Sequence, residues 1–245
     1  MTATRKTTGR TGVPDTGAGI GPVESRFAGI ATPGDPLLLA GGGRLDHAEL
    51  AYEIYGDPAA DDTVLVFHAL SGSQHAAGFN PAVPGVGERW TDECVTGWWN
   101  DFIGPGRALD TDRLAVVCVN YLGGCYGSTG PASIDPGTGA PYGSSFPQVA
   151  FSDIVDSQVR LLRRLGIDHL RGVVGSSIGG LMALDLAVRY PDFVDVVVSI
   201  ATGITVTPLQ AIHNFEQIVA IANDPGFSGG DYYESGPPNG GLALA

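Results

Sequence analysis

The chain has 245 residues, which suits one α/β domain or one domain with an insertion. Acidic residues outnumber basic ones by 26 to 13, so the formal net charge is −13. This charge disfavours nucleic acid and anionic membranes as partners, and no apolar run is long enough to span a bilayer. The three cysteines lack metal-ligand spacing, and their odd number indicates a reducing, cytoplasmic compartment.

The first quarter of the chain predicts a tail and two strands. Residues 1–35 are rich in Gly, Thr and Pro, so we expect a poorly ordered tail there. Apolar and polar residues alternate from His47 to Tyr55, as in an antiparallel edge strand. The apolar run at 63–67 predicts a short strand that leads into the loop His68–Gly72.

Two glycine-rich segments follow, with a buried strand between them. The first covers about 73–112, and the apolar run 114–119 after it predicts the strand. That strand leads directly into the second segment, Asn120–Pro131. A helix comes next, for which Ser152 is the expected N-cap and Gly166 the expected end.

The most specific pattern of the chain is Gly175-Ser176-Ser177-Ile178-Gly179. It stands between the apolar run 170–174 and a helical stretch, 180–190, after which 194–200 reads as a β-branched strand. Strand, turn, helix and strand predict one βαβ unit with a parallel sheet. In this context G-x-S-x-G is typical of the nucleophile elbow of an α/β-hydrolase fold. The turn presents the Ser177 hydroxyl above the sheet, at the positive end of the next helix.

The pattern predicts the fold class and its division along the chain. We expect an α/β-hydrolase fold, with a mostly parallel sheet and helices on both faces. Its core is predicted over 36–203 and the start of a helical lid over 204–245. A helix is expected to begin at Thr207-Pro208, because proline is favoured at the first helical position.

Further motifs accompany the elbow, and together they resemble the homoserine O-acyltransferases of the α/β-hydrolase superfamily. The most specific is the Gly-Gly-Cys-Tyr-Gly-Ser-Thr-Gly-Pro core of Asn120–Pro131. The other matching stretches are His68–Gly72, Gly97–Trp99, Ile103–Gly106, Ala187–Pro191 and Gly229–Tyr232. The resemblance covers about 45–245. The elbow differs from the family's commoner Gly-Gly-Ser-Met-Gly-Gly at two positions, and isoleucine in place of methionine preserves the backbone donor.

The resemblance implies a reaction and its substrates. It implies an acyltransferase that moves an acetyl group from acetyl-CoA to the hydroxyl of L-homoserine, through an acyl-serine intermediate, in methionine biosynthesis. Acetyl-CoA serves as a co-substrate, and neither a cofactor nor a metal is expected. A homodimer is an open option. The alternatives are a homoserine O-succinyltransferase or serine O-acetyltransferase of the same family, an esterase that uses the same elbow, and an inactive fragment.

The resemblance also assigns roles to single residues. Ser177 is the expected nucleophile, and the backbone N–H groups of Leu70 and Ile178 are the expected oxyanion hole. The candidates for the substrate pocket are Tyr121, Gly123, Gly124 and Tyr126. Family members are much longer, and their catalytic Asp and His lie in a C-terminal portion that this sequence does not contain. The arginine expected to bind the amino-acid carboxylate lies there too. We therefore expect a fragment that is nearly inactive by itself.

Several conspicuous side chains have plainer interpretations. His68 and His75 precede the serine, whereas the base of this fold follows it, so we expect both to structure loops or line a pocket. His213 lies too early for the base. Cys125 is expected to be a packed loop residue. The Trp98-Trp99 pair fits a substrate channel and a loop anchor equally well.

Overall fold

A computed structural model of the chain describes residues 19–245. Its strands are, in chain order, β1 (Arg26–Ala31), β2 (Leu37–Leu38), β3 (Arg44–Leu45), β4 (Ala48–Tyr55), β5 (Thr63–Phe67), β6 (Ile103–Gly104), β7 (Leu109–Asp110), β8 (Ala115–Val119), β9 (Gly172–Ser176) and β10 (Val197–Ile200). The α-helices are α1 (Phe151–Arg164), α2 (Ile178–Arg189), α3 (Pro208–Ala222) and α4 (Asn239–Leu244). Short 3-10 helices lie at Gly87–Arg89, Asp92–Cys94, Gly143–Ser145 and Pro225–Gly230.

Six strands form one sheet in the order β1-β4-β8-β5-β9-β10. The four strands β8, β5, β9 and β10 run parallel, and β4 and β1 continue the sheet antiparallel. The predicted parallel βαβ unit is therefore present, with α2 between β9 and β10. Phe67, the last residue of β5, is in register with Gly175 on β9. This register brings the loop after β5 beside the turn after β9.

The prediction of a tail over residues 1–35 is wrong for its second part. Residues 26–31 form β1, which pairs with β4, and Ile30 on it is fully buried. Strand β4 is antiparallel as predicted, but it is not an edge strand, because β1 pairs with its outer side. The rest of the predicted tail, residues 1–18, lies outside the described residues.

The two described helices of the core, α1 and α2, pack on the same face of the sheet. Their apolar residues join one cluster with alternate residues of the strands, such as Leu65, Phe67 and Val173. The other face carries a second cluster, built on Val66, Val116 and Cys118, and loop residues of the 73–112 segment cover it. Within residues 19–245, the helices that pack on the sheet, α1 and α2, therefore lie on one face and loops on the other, so the predicted helices on both faces are found on one face only. The reason is that a glycine- and proline-rich stretch lacks the periodicity of a helix.

Helix α1 begins earlier than predicted. Its N-cap is Ala150, and Ser152 lies inside the first turn. Asp153 provides the capping contact instead, because its carboxylate accepts a hydrogen bond from the Ala150 N–H at 2.8 Å. The second carboxylate oxygen accepts the Ala40 N–H, also at 2.8 Å, and so ties the helix to the N-terminal part of the fold. The predicted end is correct, since Gly166 follows the helix with a φ of 81°.

The β10 edge and helix α3 leave apolar surface exposed. Val198 and Ile200 on the edge strand are each 42% exposed. Helix α3 begins as predicted, with Thr207 as its N-cap and Pro208 at its first position. No residue of α3 is buried, and Leu209 and Phe215 on its apolar face are largely exposed. No helix in the described part of the chain is long and apolar enough to cross a bilayer.

Candidate active site

Ser177 lies on a strained turn between β9 and α2. Its backbone has φ 55° and ψ −121°, a region that non-glycine residues rarely adopt. The Ser177 N–H donates to the Ile200 carbonyl of β10 at 3.0 Å, and its carbonyl accepts the Gly180 N–H at 3.0 Å. The side chain is exposed, and its hydroxyl forms no hydrogen bond to a protein group within residues 19–245. The predicted strand-to-helix elbow is confirmed.

The two outer glycines of the elbow are required by close backbone contacts. A Cβ at Gly175 would lie 2.1 Å from the Gly179 carbonyl oxygen. A Cβ at Gly179 would lie 2.4 Å from the carbonyl oxygen of Phe67 and 2.7 Å from that of His68. Side chains cannot fit at these distances, so the first turn of α2 packs directly on the exit of β5. This packing explains why the G-x-S-x-G pattern has glycine at both ends.

Two unpaired N–H groups flank the elbow at this end of the sheet. Ile178 is the first residue of α2, and its N–H has no protein acceptor among the described residues. Leu70 lies in the turn after β5, which the hydrogen bond from Gly72 N to Ala69 O closes at 2.9 Å. Its N–H also lacks a protein acceptor within residues 19–245, and its side chain is 79% exposed. Both predicted oxyanion donors are therefore available, next to the positive end of a helix.

The buried side chain of His68 packs beneath the loop that contains Leu70 and stabilises it. Its ring is buried and stacks on Tyr121, with ring centroids 3.6 Å apart. Its Nδ1 lies 2.7 Å from the Ala69 carbonyl oxygen, and the Tyr121 hydroxyl donates to the His68 carbonyl oxygen. Burial lowers the pKa of His68 to about 4, so the ring is neutral at pH 7. The expectation that His68 structures this loop is confirmed.

The structure also settles the environment of the other histidines that the sequence singles out. His75 is buried, with Nδ1 2.9 Å from Glu53 and Nε2 3.1 Å from the Val95 carbonyl oxygen. His213 lies exposed on α3, 4.0 Å from Glu216. Neither contacts Ser177. The described residues therefore contain no histidine that is hydrogen-bonded to the serine.

Sequence reasoning missed the buried polar cluster around Glu53. This carboxylate is 1% exposed and accepts four hydrogen bonds of 2.7–2.9 Å, from Ser25, Tyr55, His75 and Asn80. The cluster joins the residue before β1, strand β4 and the loop that follows Leu70, so it fixes the path of that loop. The sequence signal that could have revealed this cluster is a glutamate at an inward-facing position of a strand in which apolar and polar residues alternate.

The glycine-rich segment after β8 lies beside the elbow loop. Tyr121 is buried under His68, and Gly123 and Gly124 line an open cavity together with Cys125. Tyr126 packs edge-on against Trp90 and is not among the residues that line this cavity. Of the four predicted pocket residues, the structure therefore brings two to a cavity wall. Their role in substrate binding stays a prediction.

The tryptophan pair anchors a loop. The Trp98 indole N–H donates to the Ser73 carbonyl oxygen at 2.9 Å, and the Trp98 and Trp99 rings lie 5.0 Å apart on the second core cluster. A Cβ at Gly97 would lie 2.3 Å from Ala77 Cα, so this segment presses on the loop that covers the sheet. These contacts favour the anchor over the channel.

Cys125 is exposed rather than packed as expected, and its thiol forms no contact with a base among residues 19–245. The thiol itself is partly desolvated, and this desolvation raises its pKa. No group of three His, Cys, Asp or Glu side chains that could hold a metal ion occurs among residues 19–245. The groups available for catalysis at this end of the sheet, among residues 19–245, are therefore the Ser177 hydroxyl and backbone N–H groups.

Curated relatives confirm the resemblance that the motifs indicate. The chain is 46% identical over 225 residues to a homoserine O-acetyltransferase of Symbiobacterium thermophilum. This match covers 91% of the chain and 56% of that protein. A homoserine O-acetyltransferase of Solidesulfovibrio magneticus is 45% identical, with 93% and 56% covered. A homoserine O-succinyltransferase of Nocardioides sp. is 44% identical, with 89% and 57% covered. The chain thus spans about 56% of the length of the first of these relatives.

Solved structures give the same fold. A homoserine O-acetyltransferase from Bacillus anthracis superimposes with a TM-score of 0.78 at 30% identity, over 91% of this chain and 58% of that one. The L374D mutant of esterase E22 does so with a TM-score of 0.78 at 32% identity, over 91% and 59%. A family model described as the alpha/beta hydrolase fold matches residues 62–245. The chain therefore belongs to the α/β-hydrolase fold family.

Proposed function

We propose that this chain supplies the nucleophile and oxyanion hole of an acyltransferase that moves an acetyl group from acetyl-CoA to the hydroxyl of L-homoserine. The observation that carries the chemistry is the strained, exposed Ser177 beside the free N–H groups of Leu70 and Ile178. The names of the relatives supply the substrates, since four of those matched at 44–46% identity are homoserine O-acetyltransferases.

The reaction runs in two steps at Ser177. The hydroxyl oxygen attacks the thioester carbonyl, the carbon–sulfur bond breaks, and CoA leaves as its thiol with the proton that the serine loses. The homoserine hydroxyl oxygen then attacks the carbonyl of the acyl-serine, the bond between the acyl carbon and the serine oxygen breaks, and the homoserine proton returns to the Ser177 oxygen. Each tetrahedral intermediate places a negative oxygen at the N–H groups of Leu70 and Ile178. One such donor is worth roughly 3–4 kcal/mol in the transition state.

A base must take the proton from Ser177, and an acidic group must orient that base. No histidine among residues 19–245 bonds to Ser177. We propose that the base and its carboxylate belong to the part of the relatives' length that this chain does not match. We further propose that this part covers the apolar side chains of β10, such as Val198 and Ile200, which are exposed in this chain.

Two alternatives have an observation in their favour. The Nocardioides relative is a homoserine O-succinyltransferase at 44% identity, so succinyl-CoA is the second candidate donor. The L374D mutant of esterase E22 superimposes as well as the Bacillus anthracis acetyltransferase, so water is the second candidate acceptor. The preference for acetyl transfer follows from the higher identity to acetyltransferases. The cytoplasmic location, the homodimer and the absence of a cofactor stay predictions from the sequence.

A chimera tests the proposal. The chain is extended at its C-terminus with the region of the Symbiobacterium thermophilum relative that lies beyond the matched part, and Ser177→Ala and Ser176→Ala are made in it. Each protein is assayed with acetyl-CoA or succinyl-CoA, with and without homoserine. We expect homoserine-dependent release of CoA from acetyl-CoA, its loss in Ser177→Ala, and its retention in Ser176→Ala.

The outcomes separate the candidates. Faster release from succinyl-CoA would favour the succinyl donor, and release that does not depend on homoserine would favour the esterase. A chimera that unfolds cooperatively yet releases no CoA from either donor would contradict the proposal. So would a Ser177→Ala variant with undiminished activity.

A further inference from the structure

An open cavity of about 570 Å³ lies at the end of the glycine-rich segment that follows β8. Three separate segments form its walls. Arg89 comes from the long loop after β5, Gly123 and Gly124 come from the segment after β8, and Tyr232 and Tyr233 come from the predicted lid. Two motifs that the sequence singles out, Asn120–Pro131 and Gly229–Tyr232, therefore meet at one cavity.

Asp231 in the second motif holds Tyr232 of the motif and the following Tyr233 in place. Gly229 and Gly230 adopt positive φ angles of 67° and 105°, which turns the chain back toward the core. The Asp231 carboxylate then accepts the Ser144 N–H and the Ser144 hydroxyl, each at 2.8 Å. These hydrogen bonds lower the pKa of Asp231. A Cβ at Gly143 would lie 2.2 Å from this carboxylate, so only glycine at this position leaves room for Asp231.

The chemistry of the cavity suits a planar anion. The rings of Tyr232 and Tyr233 stack with centroids 4.9 Å apart and form an aromatic wall. Burial raises the pKa of the Tyr233 hydroxyl to about 12, and the nearby Arg89 guanidinium opposes that rise. Arg89 forms no ion pair with a carboxylate of the described residues, and its hydrogen bond to the Gly85 carbonyl oxygen is long, at 3.4 Å. Glu88 also lines the cavity and would repel an anion.

We propose that this cavity binds the adenine nucleotide end of the acyl-CoA donor, with the adenine ring on the Tyr232–Tyr233 wall and a phosphate at Arg89. The proposal rests on the proposed function, because it takes the thioester to be a CoA ester. Aromatic rings stack with bases, and a guanidinium binds phosphate through two N–H groups. A free adenine nucleotide of the same chemistry would use the same contacts.

The position of the cavity fits a donor whose thioester lies at Ser177. In the sheet, β8 is separated from β9 by β5 alone. Neighbouring strands lie about 4.8 Å apart, so the end of β8 is roughly 10 Å from the elbow. The cavity begins at Gly123, four residues beyond β8. The pantetheine arm of CoA is long enough to join the two sites.

Equilibrium binding to the 245-residue chain tests the proposal without any acyl transfer. The probes are CoA, pantetheine and 3′-phosphoadenosine 5′-phosphate, titrated by calorimetry at low and at high salt. We expect CoA to bind more tightly than pantetheine, and the nucleotide to bind by itself. Arg89→Ala and Tyr233→Ala are each expected to weaken CoA binding about tenfold and to leave pantetheine binding unchanged. Glu88→Gln should strengthen CoA binding, a gain that a merely structural effect would not produce.

The control is Arg113→Ala, which removes an exposed arginine away from the cavity and should change nothing. CoA that binds no more tightly than pantetheine, or equally well to Arg89→Ala, would overturn the proposal. Failure of the proposed function is a different result. The chimera would then leave Ser177 unacylated, whatever the affinity of the cavity for CoA. The proposal would also be overturned if the nucleotide bound tightly and CoA bound no more tightly than the nucleotide, since the occupant would then be a free nucleotide.

Discussion

The strain at Ser177 makes a prediction about stability that does not depend on activity. A non-glycine residue at φ 55° and ψ −121° costs about 1–3 kcal/mol. Ser177→Gly relieves this strain, but it also gives the unfolded chain more freedom, at a cost of about 0.4–1 kcal/mol. Ser177→Ala keeps the Cβ and so keeps the strain. The Ser177 hydroxyl has no protein partner among residues 19–245, so its removal loses no hydrogen bond.

We therefore expect Ser177→Gly to be more stable than Ser177→Ala by about 1.3 kcal/mol, the difference between the midpoints of those two ranges. Each kcal/mol raises the midpoint of thermal unfolding by about 2–4 °C in a chain of this size. Urea unfolding measures the free energy directly. Ser176 is the matched control, because it lies on β9 and its φ is not positive. There, glycine should be less stable than alanine by about 0.5–1 kcal/mol. Equal stability of the two Ser177 variants would refute the strained elbow.

Three further predictions concern stability, all measured by urea unfolding. Gly179→Ala should cost at least about 2–3 kcal/mol, because its Cβ would press on the carbonyl oxygens of Phe67 and His68. Burial lowers the pKa of His68 from 6.5 to about 4, so the unfolded chain is protonated first as the pH falls. The stability linked to His68 should be complete above pH 6.5 and fall by about 1.4 kcal/mol per pH unit toward pH 4. Glu53→Ala should cost about 3–5 kcal/mol, since it leaves the buried donors around it without an acceptor.

Each of these has a control in the same chain. Gly34→Ala meets no atom within 4 Å and should be nearly neutral, so a similar loss at both glycines would argue against the packing explanation. His68→Asn should flatten the stability profile below pH 6.5, whereas exposed His213→Gln should leave it unchanged. Glu49 lies on β4 like Glu53, but its side chain is exposed. A comparable loss in Glu49→Ala would show that the Glu53 cluster contributes little.

The elbow was predictable because its cause is local. The glycines at 175 and 179 and the strand and helix around them are all encoded within 30 residues, and the backbone contacts that require glycine involve one neighbouring strand. Ile178 belongs to the elbow itself, whereas Leu70 lies far earlier in the sequence, and its role as second donor was expected from the resemblance, as a residue of the loop after an earlier strand. Parallel strands end at one edge of a sheet, so the two loops had to meet there.

The features that the sequence did not reveal depend on distant contacts. Strand β1 has no strong pattern of its own and is ordered by pairing with β4, about twenty residues later. The Glu53 cluster draws its donors from residues between 25 and 80 in the sequence, and none of these pairings leaves a local trace. The contact between Asp231 and Ser144 spans 87 residues, so the place of the Gly229–Tyr232 motif could not be read from its own composition.

The central claim is that Ser177 carries the acyl group, and intact mass spectrometry of the chimera tests it most directly. The chimera is mixed with acetyl-CoA alone, its mass is measured, and the modified peptide is identified after proteolysis. We predict a gain of one acetyl group, located on Ser177, which is absent in Ser177→Ala and is lost when homoserine is added. Acetylation of homoserine with no acetyl group ever found on Ser177 would contradict the account.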